Sequence, residues 1–177
     1  MNSIILHDSA EGGWLWRIRF GTSAANEDSI NHSANERNLD ATDIVNRSIL
    51  LAKFVKDEKF ERLVVTDKDR TTSYFDGDMY PDILPDAGDM VAGDVEVNMS
   101  DVARQALEEI LQNHPEHNLS AVMNHLAAVY FRLNEYAHQG HTISGVRGDG
   151  SSEIFFMPGD LVEPTHEVTV TPSDLPE

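Results

Sequence analysis

The spacing of apolar and polar positions changes period several times along the chain, and each change marks an expected element. Residues 3–7 read as a short strand, followed by a turn across Asp8–Gly13. Trp14–Phe20 is the richest strand by residue type: Trp16, Ile18 and Phe20 share one face, and Arg17 and Arg19 share the other. Residues 21–38 are polar and fit either a helix around Ala25–Ala34 or a long loop. A helix is predicted from Ala41 to Lys56, with Ile44, Val45, Ile49, Leu51, Ala52 and Val55 on one side. Arg62–Val65 and Thr72–Phe75 flank Asp67–Arg70 as a hairpin would.

The pattern then repeats in kind. Val95, Val97 and Met99 alternate with Glu96 and Asn98, which predicts a half-buried strand. Ser100 stands where a helix N-cap belongs, and Asp101 places an anion in the first turn. Val102, Ala106, Leu107, Ile110 and Leu111 recur at helical spacing until Asn113-His114-Pro115 interrupts. A second helix follows from Leu119 to Tyr136, apolar at Val122, Met123, Leu126, Val129, Tyr130 and Leu133, with Gly140 as its C-cap. His141–Val146 and Glu153–Met157 flank Gly148-Asp149-Gly150 as a final hairpin. The fold class is therefore α+β.

The segment V-x-V-x-M-S-D, with the A-L-E-E-I-L helix and the N-L-S-A-V-M-N-H-L-A start of the second helix, resembles the ribbon-helix-helix family of Arc/MetJ/CopG-like dimers over residues 94–138. The resemblance implies a strand that buries its apolar face by pairing antiparallel with a second copy. It also implies a two-stranded ribbon whose outward side chains read the DNA major groove. On such a ribbon the dimer core would be Trp16, Ile18, Phe20, Val95, Val97 and Met99, and the outward readers Arg17, Arg19, Glu96 and Asn98.

A degenerate second copy at about 14–56 is suggested by matching stretches. Arg17-Ile18-Arg19-Phe20 aligns with Glu96-Val97-Asn98-Met99, Asn38–Ala41 with Asn118–Ala121, and Ile44-Val45-Asn46 with Val122-Met123-Asn124. Both long helices precede a hairpin whose turn carries an aspartate, Asp69 or Asp149. True duplication would place both ribbon strands in one chain, as a tandem pseudo-dimer with appended hairpins. The expected organisation is an N-terminal α+β unit at 1–75, an acidic linker at 76–93, a ribbon-helix-helix-like unit plus hairpin at 94–157, and an acidic flexible tail at 158–177.

Charge redirects this reading. The formal net charge is −18, and its distribution is uneven. Residues 13–56 are near neutral, whereas 76–93 hold five aspartates and no base, and 94–138 hold two arginines against seven acids. DNA affinity comes largely from phosphate neutralisation, so Glu96, Asp101, Glu108 and Glu109 work against it. The expected function is a DNA-binding regulator, which the resemblance implies and for which the first strand supplies arginines, and the alternative is a protein-protein interaction module. The second is antitoxin-like or an acidic decoy; it uses the same fold for self-association and engages a partner through the linker or tail.

Catalytic and metal chemistry find little footing. There is no cysteine, phosphate-binding glycine loop or nucleophile elbow. His114-x-x-His117 straddles a helix end and a proline, and the linker aspartates lack the calcium-loop spacing. No enzyme activity, cofactor or metal is expected. With no apolar run of membrane-spanning length and no basic leader, the expected location is the cytoplasm.

Overall fold

The computed structural model describes residues 3–8, 14–37, 40–67, 69, 72–74, 91–115 and 118–155. In chain order the elements are β1 (Ser3–Asp8), β2 (Trp14–Ser23), α1 (Ala24–Arg37), α2 (Ala41–Asp57), β3 (Phe60–Thr66) and β4 (Thr72–Tyr74). They continue with β5 (Val91–Met99), α3 (Asp101–Asn113), α4 (Leu119–His138), β6 (Thr142–Arg147) and β7 (Ser152–Phe155). After β1, the order strand, helix, helix, strand, strand occurs twice.

The two runs interlock rather than stand side by side. β2 pairs antiparallel with β5, and Ile18 lies directly across from Val97. β3 pairs antiparallel with β6, Val64 facing Ser144. One sheet has the order β1-β2-β5 and the other β4-β3-β6-β7. Helix α2 packs against α4 between them. One continuous core results, in which Ile18, Phe20, Val97 and Met99 join Ile44, Ile49 and Leu51 of α2, Leu107 of α3, and Met123, Leu126 and Leu133 of α4.

Local chemistry explains the boundaries. Asp40, Ser100 and Asn118 each accept a hydrogen bond from the third residue beyond, capping α2, α3 and α4. Helix α4 ends at Gly140, whose φ of 81° lets the His141 amide return to the Tyr136 carbonyl at 3.0 Å. At the matching end of α2 the left-handed residue is Lys59, with φ 57°.

Some expectations need correction. Val102 is not on the buried face of α3: it is 54% exposed, and Ala103 takes its place with Ala106, Leu107 and Ile110. One position along a helix is about 100°, enough to carry Val102 out of the apolar stripe. Strand β5 begins at Val91, inside the stretch read as linker. Of the helix or loop at 25–34, the helix forms. It has no apolar stripe, burying Ile30 and the polar Asn26. The turn at 9–13, residues 75–90 including most of the acidic linker, the Glu116-His117 pair and the tail from 156 lie outside the described residues.

Candidate functional site: the outward face of the β2–β5 ribbon

The alternation read from the sequence orients β2 and β5. Ile18, Phe20, Val97 and Met99 are buried, and Trp16 and Val95 are partly buried against them. Arg19, Glu96 and Asn98 are exposed on the opposite face, with Arg17 partly so. The structure thus brings all four expected outward residues onto one surface. Register sets Arg17 across from Asn98 and Arg19 across from Glu96.

The arginines do not project freely. Arg17 Nη1 sits 2.8 Å from Glu96 Oε1, and Arg19 Nη2 sits 2.7 Å from Asp94 Oδ2, with Arg19 Nε also donating to that oxygen at 3.2 Å. Each pair runs diagonally across the two strands, a separation that long side chains can span. All four side chains keep at least a third of their surface in water, so these pairs contribute little stability. They do cancel the charge of the face. Asp94 was missing from the sequence-based set; its signal was its position two residues before Glu96, on the same side of the strand.

The face is also wider than a two-stranded ribbon. β1 runs antiparallel along the far side of β2, with Ile5 opposite Arg17 and Ser3 opposite Arg19. A third strand adds about 4.8 Å of width. No protein-family model, curated protein or solved structure matches the chain.

The strand ends are held by two asparagines that the sequence flagged only as aligned letters. Asn124 of α4 accepts from the Ser23 amide at 2.8 Å and donates to the Gly21 carbonyl at 2.7 Å, gripping the end of β2. Asn46 of α2 accepts from the Ser100 amide and donates to the Asn98 carbonyl, both at 2.9 Å, gripping the end of β5. Ser23 and Ser100 then offer their hydroxyls to the amides of Asn26 and Ala103 in the following helices. Around Asn124 the network is denser. Asn26 Nδ2 donates to its carbonyl and side-chain oxygens, and Ser120 Oγ accepts from the Gly21 amide.

At the other end of β2, Trp16 Nε1 donates to Asp101 Oδ1 at 2.9 Å, and the Arg104 guanidinium lies 4.2 Å above the indole ring. Asp101 therefore both favours the α3 dipole and anchors β2. His114 is partly buried, and His138 Nδ1 lies 3.1 Å from the Asn134 carbonyl. Among the described residues, no group of three or more His, Asp or Glu side chains could hold a metal ion. Nor does a helix among them have the length and apolarity to cross a membrane.

Proposed function

We propose that the chain is a tandem pseudo-dimer of two ribbon-helix-helix-like units and acts as a protein-protein interaction module rather than as a DNA-binding regulator. Duplication is supported by the twice-run element order, the antiparallel β2–β5 and β3–β6 pairings, and the matching grips of Asn46 and Asn124. The interaction role is carried by one observation. The arginines that would read bases are engaged by Glu96 and Asp94 on the same face. A ribbon with two cations and two anions offers phosphates no net attraction, and the −18 background repels them.

The test is fluorescence anisotropy with a mixed-sequence duplex DNA pool at about 50 and 200 mM salt. The expected result is no binding at either. Binding that weakens roughly a thousandfold between those conditions, and disappears in Arg17→Ala/Arg19→Ala, would restore the DNA-binding regulator.

A further inference from the structure

The two ribbon strands differ in one respect: among the described residues, no strand lies along the outer edge of β5. β2 is paired on both sides, by β1 and by β5, whereas β5 is paired on one side only among the described residues. The backbone groups on β5's outer side can be identified. The Asn98 carbonyl and Ser100 amide point away from β2, because Asn46 of α2 bonds them. Backbone direction alternates along a strand, so the amides and carbonyls of Asp94 and Glu96 point the same way. In the other half the corresponding positions, Arg17 and Arg19, are those that β1 covers, just short of the Asn124 grip.

We infer that the outer edge of β5 receives an extended segment of a partner protein, added as an antiparallel strand where β1 lies in the other half, with basic side chains at alternate positions. This deepens the interaction-module reading and rests on it. Two further features describe the occupant. An open groove of about 390 Å³ lies between this edge and α2, lined by Thr42, Asn46, Arg47, Leu50 and Met99 among others. It meets β5 at Asn98–Ser100, so it would receive a side chain from the end of the added strand that reaches the Asn46 grip, and its half-buried Leu50 favours an apolar one. On the outer face, Arg19 and Arg17 use Asp94 Oδ2 and Glu96 Oε1, leaving Asp94 Oδ1 and Glu96 Oε2 without a described partner. Lysine or arginine on the incoming strand would meet those oxygens. A second copy is the poorer occupant, since antiparallel β5–β5 pairing would set Asp94 and Glu96 against their own counterparts.

The experiment uses the full chain and a labelled peptide of about eight residues alternating lysine and valine, with an alternating glutamate–valine peptide as control. Anisotropy measures binding, and amide hydrogen exchange locates it. The inference expects saturable binding of the lysine peptide and slowed exchange at the Asp94 and Glu96 amides. Glu96→Lys should weaken that binding at least about tenfold and admit the glutamate peptide, with the thermal melt unchanged. Glu96→Pro should abolish binding of the lysine peptide, because it removes an outward amide while sparing the β2 ladder.

Absence of saturable binding, binding that survives both variants, or protection at Ser152–Phe155 instead would overturn the inference. So would a peptide-independent dimer that protects Asp94 and Glu96. The DNA titration on the same preparation separates the two readings. No DNA binding together with no peptide binding removes only the β5 site, whereas DNA binding lost in Arg17→Ala/Arg19→Ala removes the interaction module itself.

Discussion

Asn46 stands to β5 as Asn124 stands to β2: each carboxamide, projecting from the long helix of one half, closes the strand end of the other half through one amide and one carbonyl. The two differ in their surroundings. Both also donate to the carbonyl four residues back, Thr42 or Ser120, but Asn124 in addition receives Asn26 within a partly buried network, whereas the Asn46 contacts with β5 are exposed. Asn124→Ala leaves the partly buried Ser23 amide and Gly21 carbonyl short of partners, and should cost about 2–3 kcal/mol. Asn46→Ala should cost about 1 kcal/mol, because water replaces the lost bonds. Urea titration of both variants checks the order; equal losses would mean the asymmetry has no energetic content.

Neutralising the ribbon carboxylates tests what they do to the face. Asp94→Asn/Glu96→Gln should change stability by less than about 1 kcal/mol, since the pairs are solvent-exposed. The same variant frees Arg17 and Arg19, and weak binding to duplex DNA at low salt should appear where the parent shows none. If the variant stays silent, the acidic background alone excludes DNA.

Lys59 and Gly140 occupy matching positions after α2 and α4, both with positive φ. A Cβ makes that conformation costly, and Lys59 has one. Its side chain is exposed. Lys59→Gly should therefore raise stability by roughly 0.5–1 kcal/mol, whereas Gly140→Ala should lower it by a similar amount. Thermal melts of the two variants moving in the same direction would contradict this.

Gly145 answers to packing. On the inner strand β6 it lies against the Phe60 ring, and a Cβ there would overlap the ring carbons. Phe60 cannot easily retreat, since it stacks on Phe155 at 5.9 Å and meets Phe54 edge-on at 5.8 Å. Gly145→Ala is expected to cost about 2–3 kcal/mol, measured by denaturant midpoint, and Phe60→Leu in the same background should recover part of it.

The β6–β7 turn carries a pH signature. Hydrogen bonds from Ser151, side chain then amide, hold the Asp149 carboxyl below the usual carboxylate range, with Arg147 assisting. A pKa depressed in the folded state stabilises the turn above the ordinary carboxylate value, and that contribution is lost as pH falls through the folded value. The Ser151 amide shift should therefore titrate with a midpoint below the ordinary aspartate value. Ser151→Ala should move it upward, and an unchanged midpoint would exclude the hydroxyl as the main cause.

Much of this architecture was legible because single residues carry strong local rules. Ser100 before Asp101 announced α3, Gly140 ended α4, and the alternation of Val95, Val97 and Met99 oriented β5. Helix α1 was ambiguous because its attachment is polar: Asn26 bonds Asn124 instead of contributing to an apolar stripe. Val102 was misplaced because three- and four-residue spacing admits either it or Ala103 as the first member, and neighbours in space decide. At the candidate site the arginines were visible, but their engagement by Asp94 and Glu96 depends on a register between residues more than seventy positions apart. No local pattern encodes that.

The pairing of Ile18 with Val97 also sets a schedule for synthesis. A ribosome adding 5–20 residues per second completes β5 on the order of ten seconds after the residues of β2. Through that interval β2 has β1 on one edge, but the edge that β5 will pair has no strand from its own chain. Neighbouring ribosomes on one message hold other nascent copies at the same stage, and a finished β5 from a chain further along would fit the same register. Exchange of strands between nascent chains is therefore the characteristic misassembly of this topology, and its yield should rise with the crowding of ribosomes on the message and fall when translation between the two strands is accelerated.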